Sequence, residues 1–515
     1  MLKRVFDVAL MKPGFSWQTL LARTPLLLVG LTFCVIAASF MGCIPATAFP
    51  NYRIHSPAGV TFVAALVLLV ILSIYYKTLQ RSPGIFTLAW AALIILFLFM
   101  LGNPYWVHQY DFEQNTTTIK YYATHLAIPH HGMMAESHQA PLYYVLAATL
   151  YGLALPWADI SDSWYIVQYL SFFFFSMFLL YGILSLLKVI PSRRLAIMGI
   201  AILLVWPGNI LHSARISNNI LIYLSLTGCS YHFMGWYRER SLSQLNIALI
   251  WMGVAFATQT SAVVLLASTA TLIFLKDFKG KTVTEWLRML GTQQSLTTHL
   301  KPLLPGLLIL IVGLSAGYGR NFYNYLQDDR VSVIFGARTY SSVFLPSELF
   351  LLDIPHYITY PYIITIEEQD SVNSQFWGYF LRSMSFGQFS WNGTQQAVIM
   401  NCLILLMWCF LAFAMLRHRL ILKQSLGWSG YFGTFLGYSI IALMSAKMLI
   451  HEWSYFWADM RYIYAIVVFF LLTYLYMLTL LRTTNPRLYL LGFSLLAAYG
   501  ATSLFHLYLQ LAPKI

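Results

Sequence analysis

Three groups of polar residues interrupt an otherwise apolar chain, and each has residue types that could do chemistry. The first begins Gly102-Asn103-Pro104-Tyr105-Trp106-Val107-His108-Gln109-Tyr110-Asp111-Phe112-Glu113, which sets Asp111 and Glu113 one or two turns past an apolar run. A carboxylate at the rim of a bilayer is partly desolvated, which lets it serve near neutral pH as a base toward a hydroxyl. The plain alternative is a pair of solvated loop acids. The same stretch ends Glu136-Ser137-His138-Gln139-Ala140-Pro141-Leu142-Tyr143-Tyr144. Glu136 and His138 could hydrogen-bond a sugar or steady a phosphate, or could simply belong to a turn with interfacial aromatics. Five of the 13 histidines fall here: His108, His125, His130, His131 and His138. With Asp111 and Glu136, histidines such as His108 and His131 could hold a divalent metal ion, although no HExxH motif or other diagnostic spacing is present. No motif demands a cofactor.

The second group is Trp206-Pro207-Gly208-Asn209-Ile210-Leu211-His212-Ser213-Ala214-Arg215-Ile216-Ser217-Asn218-Asn219. Arg215 stands almost alone among apolar neighbours, and a cation in a membrane is usually paired or functional. Its i,i+3 spacing to Asn218 could put both on one helix face. A fixed guanidinium suits a lipid-linked phosphate; a snorkelling interfacial arginine is the competing reading. The third group is late: His451-Glu452-Trp453, then Asp459-Met460-Arg461-Tyr462 at the head of an apolar run. Arg461 could contact a phosphate or pair with Asp459. Tyr318-Gly319-Arg320 forms a further polar set at the exit of another run.

The elements that must position these groups are membrane helices. Only 10% of the 515 residues are charged, while 59% are hydrophobic. A soluble domain carries about 25% charged residues, so an ordinary soluble enzyme, a disordered chain and a nucleic-acid binder are excluded. Apolar runs long enough to cross start near Thr24, Gly59, Pro83, Ser163, Leu195, Ile216, Leu245, Leu303, Val398, Gly430, Arg461 and Tyr489. The run 245–275 is too long for one crossing and has a polar break at Gln259-Thr260-Ser261. Splitting it predicts an all-α polytopic bundle of about 13 transmembrane helices, with 141–158 a weak segment that is re-entrant or interfacial. The five cysteines have no CxxC spacing and give neither a disulfide framework nor a metal knuckle.

The charge balance of +13 is dispersed, so it reads as topology. With the N-terminus inside, 21 of 31 basic residues face the cytoplasm and 14 of 18 acidic residues face out. The chain is expected to be a single integral-membrane domain, 1–515. Its outside face has a first loop, 104–140, and a large loop, 318–395, with short membrane-parallel helices. Asn115-Thr116-Thr117 and Asn392-Gly393-Thr394 match glycosylation sequons. Soluble-enzyme signatures are absent or unconvincing, and P-loop, GxGxxG and EF-hand patterns do not occur.

In this order, the motifs resemble those of the integral-membrane glycosyltransferases that use polyprenyl-phosphate sugars, the GT-C type, including the protein mannosyltransferase and aminoarabinose transferase relatives. The likeness spans nearly the whole chain. Asp111-Phe112-Glu113 stands for the acidic motif of the first outside loop, and Gln139-Ala140-Pro141-Leu142-Tyr143-Tyr144 for a Gln-Pro-Pro-Leu-Tyr-like stretch. Ser213 through Asn219 is similar to a Ser-Ala-Arg-Ile-Ser-Asn-Asp-like stretch, and Arg461-Tyr462 to a late Arg-Tyr pair. Two departures stand out. Phe112 separates acids that are adjacent in many relatives, and Asn219 replaces an acid.

The resemblance implies a GT-C-like bundle in the bacterial inner membrane with its site facing the periplasm. The reaction would be inverting transfer from a polyprenyl-phosphate sugar donor to a lipid, glycan or protein acceptor, in cell-envelope biogenesis. Asp111 would be the base with Glu113 in reserve, and Arg215 and Arg461 would hold the donor phosphate. Glu136, His138, Tyr143, Asn218 and Asn219 would bind substrate. The competing functions are a lipid or solute transporter or flippase, and an oligosaccharide ligase or polymerase with a pyrophosphate-linked donor.

Overall fold

The computed structural model describes residues 58–107, 111–129, 133, 136, 139–277, 301–329, 331–333, 350–362, 375–387, 391–417, 428–449 and 462–511. Among these residues the secondary structure is helical, with no β-strand. Seven helices are long and apolar enough to cross a membrane. An eighth crossing is made if the bent pair Arg193–Leu204 and Gly208–Ala214, which meet at 56°, is one broken span. The molecule is therefore a polytopic helical membrane protein. The run beginning near Thr24 lies outside the described residues.

The chain divides at Pro104 and Tyr105 into two compact units. The first unit contains α1 (Ala58–Leu79) and α2 (Pro83–Leu101). Proline at the first helical position of α2 suits a start, because the missing N–H would have had no intrahelical partner. Tyr76 and Phe86 meet edge to face across the connecting turn, with ring centres 5.9 Å apart.

The second unit runs from Tyr105 to Ala512. It opens with α3 (Phe112–His125) and α4 (Leu142–Ala154), followed by α5 (Ile160–Val189), whose 30 residues make it the longest described helix. At 1.5 Å per residue, α4 is about 20 Å long, short of the roughly 30 Å hydrocarbon core. Next come α6 (Arg193–Leu204), α7 (Gly208–Ala214), α8 (Asn218–Glu239), α9 (Leu242–Thr258) and α10 (Val263–Asp277). The polar break expected at Gln259-Thr260-Ser261 is present: α9 stops at Thr258 and a 3-10 turn, Thr260–Ala262, precedes α10. The remaining long helices are α11 (Leu304–Leu314), α12 (Arg320–Gln327), α15 (Thr394–Arg417), α16 (Trp428–Leu449), α17 (Ile466–Thr484) and α18 (Pro486–Leu511). Two short helices, α13 (Ile354–Thr359) and α14 (Phe376–Phe386), lie in the large loop. Of the spanning helices, α17 is the most enclosed.

Helix pairing in this unit follows small residues, as expected where lipid competes with protein for apolar contact. The α9–α11 seam is the clearest case. A Cβ on Gly253 would come 2.5 Å from the Ile309 carbonyl oxygen, and one on Gly306 would come 2.7 Å from that of Asn246. A Cβ on Gly313 would run into the Gly253 backbone. The contact is close enough for the Asn246 side chain to accept the Gly306 N–H at 2.8 Å. Elsewhere α11 presents Leu304, Leu308, Ile311 and Val312 outward, the pattern of a helix that meets lipid on its other faces. Between α11 and α12 the winding loosens to a π-turn, Ser315–Gly319.

The Gly313→Val variant should therefore lower stability by about 1–3 kcal/mol, the usual range for overpacking. Thermal unfolding in detergent would show a lowered midpoint. Gly152→Ala, where an added Cβ meets nothing within 4 Å, should leave it unchanged.

Candidate functional site

The site forms where the chain breaks its helices, between α6 and α8. Backbone groups exposed by a break at membrane depth must find partners inside the protein. Here side chains supply them. The Asn209 amide donates to the carbonyls of Leu203 (2.6 Å) and Leu204 (3.3 Å). The Gln168 amide, from α5, donates to Ala214 at 2.7 Å. The Trp206 indole donates to Met384 of α14 at 2.8 Å. Ser217 caps α8 by accepting the Asn219 N–H at 3.3 Å.

An aromatic cluster holds α7 from the other side. The Tyr464 hydroxyl donates to Asn209 Oδ1 at 3.0 Å, and its ring lies 4.1 Å from that of His212. Tyr223 and Phe178 complete the cluster around Tyr464, with ring centres 5.4 and 6.0 Å away. Gly208 is the one residue that allows this approach, since a Cβ there would sit 2.6 Å from the Tyr464 hydroxyl.

Arg215 follows α7 directly, in extended conformation, two residues before the α8 cap. It is 4% exposed, and its guanidinium makes no hydrogen bond or ion pair with any described residue. Its nitrogens are not among the fully enclosed, unpartnered atoms of the described residues. Close by in the chain, Asn219 Oδ1 is enclosed without a partner; so is Oε1 of Gln168, the residue that anchors Ala214. The break thus combines a cation that has no described partner with two acceptors that lack donors.

The first-loop residues reach this break through the first turn of α4. The Tyr143 hydroxyl is 2.9 Å from Ser171 Oγ, and its oxygen also accepts the Ser217 N–H. Tyr144 points the opposite way and donates to Asn115 Oδ1 at 3.0 Å. The Asn115 amide in turn donates to the Asp111 carbonyl at 2.9 Å. Burial, followed by the charges of Glu136, Tyr143, Asp111 and Tyr122, holds the Tyr144 phenol well above its ordinary pKa and keeps it a donor. Asp111 and Glu136 are therefore both near this phenol. Asp111 is half-buried at the head of α3, whereas Glu113 is exposed in its first turn.

Asn218 donates to Gln139 Oε1 at 3.2 Å, which joins the α8 head to the loop before α4. Arg320, just after the π-turn, donates to the carbonyls of Gln139 and, at 3.0 Å, of Pro129. It ties together two points of the loop that carries Glu136.

The structure thus brings Asp111, Glu136, Tyr143, Asn218, Asn219 and Arg215 into one connected region. His108, His131, His138 and Arg461 lie outside the described residues. Among the described residues no group of three or more His, Cys, Asp or Glu converges as a metal site. Asn115, the first residue of one sequon match, is 3% exposed and its amide is engaged inside the fold. Sequence reasoning missed the roles of Asn209, Gln168, Tyr144 and Tyr464. An isolated amide in an apolar run was the available signal for Gln168 and Asn209; Tyr144 stood in the Gln139–Tyr144 stretch without a role of its own, and nothing distinguished Tyr464.

No protein-family model matches this chain, and neither a curated protein nor a solved structure does.

Two variants test the construction. Tyr144→Phe leaves the buried Asn115 oxygen without its donor and should cost about 1–3 kcal/mol, read as a lowered unfolding midpoint. Arg320→Ala should raise amide hydrogen exchange across 126–141 and leave exchange in α8 unaffected.

Proposed function

We propose that the chain is an inverting GT-C-type glycosyltransferase, moving a sugar from a polyprenyl-phosphate donor to an acceptor hydroxyl on the extracytoplasmic face of a bacterial inner membrane. The observation that carries this reading is Arg215, a buried guanidinium with no described partner at a helix break. An arginine at the centre of a membrane helix costs about 3 kcal/mol on insertion scales. A phosphate offsets that cost and takes two parallel hydrogen bonds from the guanidinium fork.

In this mechanism Asp111 takes the proton of the acceptor hydroxyl. The acceptor oxygen forms its bond to the anomeric carbon as the bond from that carbon to the phosphate oxygen breaks. The electron pair leaves on polyprenyl phosphate, and Arg215 and Arg461 stabilise the charge. Polyprenyl phosphate is a good leaving group, so no strong general acid is required. Glu113 is the reserve base. Glu136, His138, Tyr143, Asn218 and Asn219 order the sugar and acceptor, and a divalent ion at His108 and His131 is an option this chemistry does not require. Exposure of Glu113, against the half-burial of Asp111 beside Tyr144, favours Asp111 as the base. The bundle has about 13 spans when α8, α9, α10, α16 and the run near Thr24 are counted with the eight crossings above and α4 does not cross.

A second reading, transport without bond making, draws on the broken span Arg193–Leu204 and Gly208–Ala214, since transporters place sites at discontinuous helices. Purified protein with undecaprenyl-phosphate sugars and hydroxyl acceptors separates the two. Transfer by the wild type, lowered about 10²–10⁴-fold in Asp111→Asn at equal expression, supports the transferase. Full activity in that variant would remove Asp111 as base. Arg215→Ala and Arg461→Ala should each weaken undecaprenyl-phosphate binding about tenfold or more; unchanged affinity in both removes the phosphate assignment.

A further inference from the structure

α8 carries a second polar feature at the end away from Arg215. Its 22 residues separate Asn218 from Glu239 by about 30 Å, so the two features are well apart. Near this far end α5, α8 and α9 leave a half-exposed groove. Its floor is set by two α8 glycines a heptad apart. A Cβ on Gly228 would meet the Trp251 ring at 3.0 Å, and one on Gly235 would come 2.7 Å from Lys188 Nζ and 2.9 Å from Gln244 Oε1. Along the groove, Tyr181 stands 5.7 Å from Trp251 and 5.6 Å from Tyr231, measured between ring centres. All three rings are partly open rather than packed away.

The groove ends in cations. Lys188 Nζ lies 4.5 Å from the centre of the Tyr231 ring and donates no hydrogen bond to any described residue. The neighbouring polar groups are already committed to each other: His232 Nδ1 is 2.8 Å from Gln244 Oε1, and His232 Nε2 is 3.4 Å from the Tyr181 hydroxyl. Arg238 and Glu239 both lie in the field of Lys188. Arg240 rests on the Trp236 ring at 5.1 Å, in the left-handed turn that closes α8. With Lys188, Arg238 and Arg240 set against Glu239, this end keeps a net positive charge.

We infer that this groove is a binding site for an anionic phospholipid, with an acyl chain along Tyr181 and Trp251 and the phosphate at Lys188. An apolar trough that opens on an unsatisfied ammonium matches an amphiphile with an anionic head. Charge alone would explain a basic helix end, but it does not explain a glycine notch that seats the ammonium beside an aromatic trough. The inference does not rest on the transferase reading, and nothing in the Arg215 region is needed for it.

Native mass spectrometry of the full chain, titrated with dioleoyl-phosphatidylglycerol or dioleoyl-phosphatidylcholine, tests it. The wild type should retain phosphatidylglycerol preferentially. Lys188→Gln and Arg238→Gln should each weaken that binding about fivefold, the usual effect of one basic residue at an anionic membrane surface. Lys188→Arg should keep the preference. Gly235→Ala changes no charge but fills the notch, and it should lose the preference while its melting profile shows the protein folded. Equal retention of the two lipids by the wild type, or an unchanged preference in the Lys188→Gln, Arg238→Gln double variant, overturns the site. So does displacement of the lipid by millimolar inorganic phosphate, which would make free phosphate the ligand.

Discussion

The need to satisfy backbone polar groups where a helix breaks inside the membrane governs the central region of this protein. A continuous helix satisfies its own carbonyls and N–H groups. A break does not, and each abandoned group in an apolar setting costs several kcal/mol. Between Leu204 and Asn218 the cost is met by Asn209 and Ser217 of the break itself and by Gln168 of α5, while the Trp206 indole ties the break to the Met384 carbonyl of α14. These bonds leave little freedom in where the break lies. Tyr464 then fixes its orientation, because it can bond Asn209 and stack on His212 only with Gly208 beneath it.

A break held this firmly gives Arg215 a defined position without spending its guanidinium on structure. Many buried arginines are structural. Arg320 and Arg382 of this chain show how that looks: each donates to backbone carbonyls or a histidine and so holds a loop in place. Arg215 differs: it makes no hydrogen bond with a described residue, and the Ala214 carbonyl beside it in the chain already has a donor in Gln168. The division of labour is what an anion site requires, since a cation already engaged by the protein offers less to a ligand. Tyr143 and Tyr144 extend the same scaffold toward Asp111, one facing Ser217 and the other Asn115.

The membrane class, the helical fold and the break at 259–261 were legible in the sequence because each depends on local composition. A shortage of charge, long apolar runs and a Gln-Thr-Ser interruption need no tertiary information. The site was legible in part. Arg215, Asp111 and Asn218 stand out as polar residues in unusual surroundings, and the fold joins them through Gln139 and the first turn of α4. The tyrosines that make the join were not legible. Among 34 tyrosines, most of them apolar in role, only three-dimensional placement shows that Tyr144 reads Asn115 and that Tyr464 reads Asn209. Asn115 shows why a short motif says little by itself: helix α3 turns that sequon residue inward.

Glycine placement connects these observations. In lipid, helices gain little from burying more apolar surface against each other, so close approach has to come from small residues. This chain uses that approach for different ends. At Gly253, Gly306 and Gly313 it brings two helices into backbone contact, where the only product is adhesion. At Gly208 it admits a tyrosine hydroxyl that orders a helix break, and at Gly228 and Gly235 it admits an indole and an ammonium that stay partly open. What decides the outcome is the group that fills the space left by the missing Cβ. A backbone carbonyl makes a seam, whereas the Lys188 ammonium, which donates no hydrogen bond to a described residue, leaves a place for a ligand.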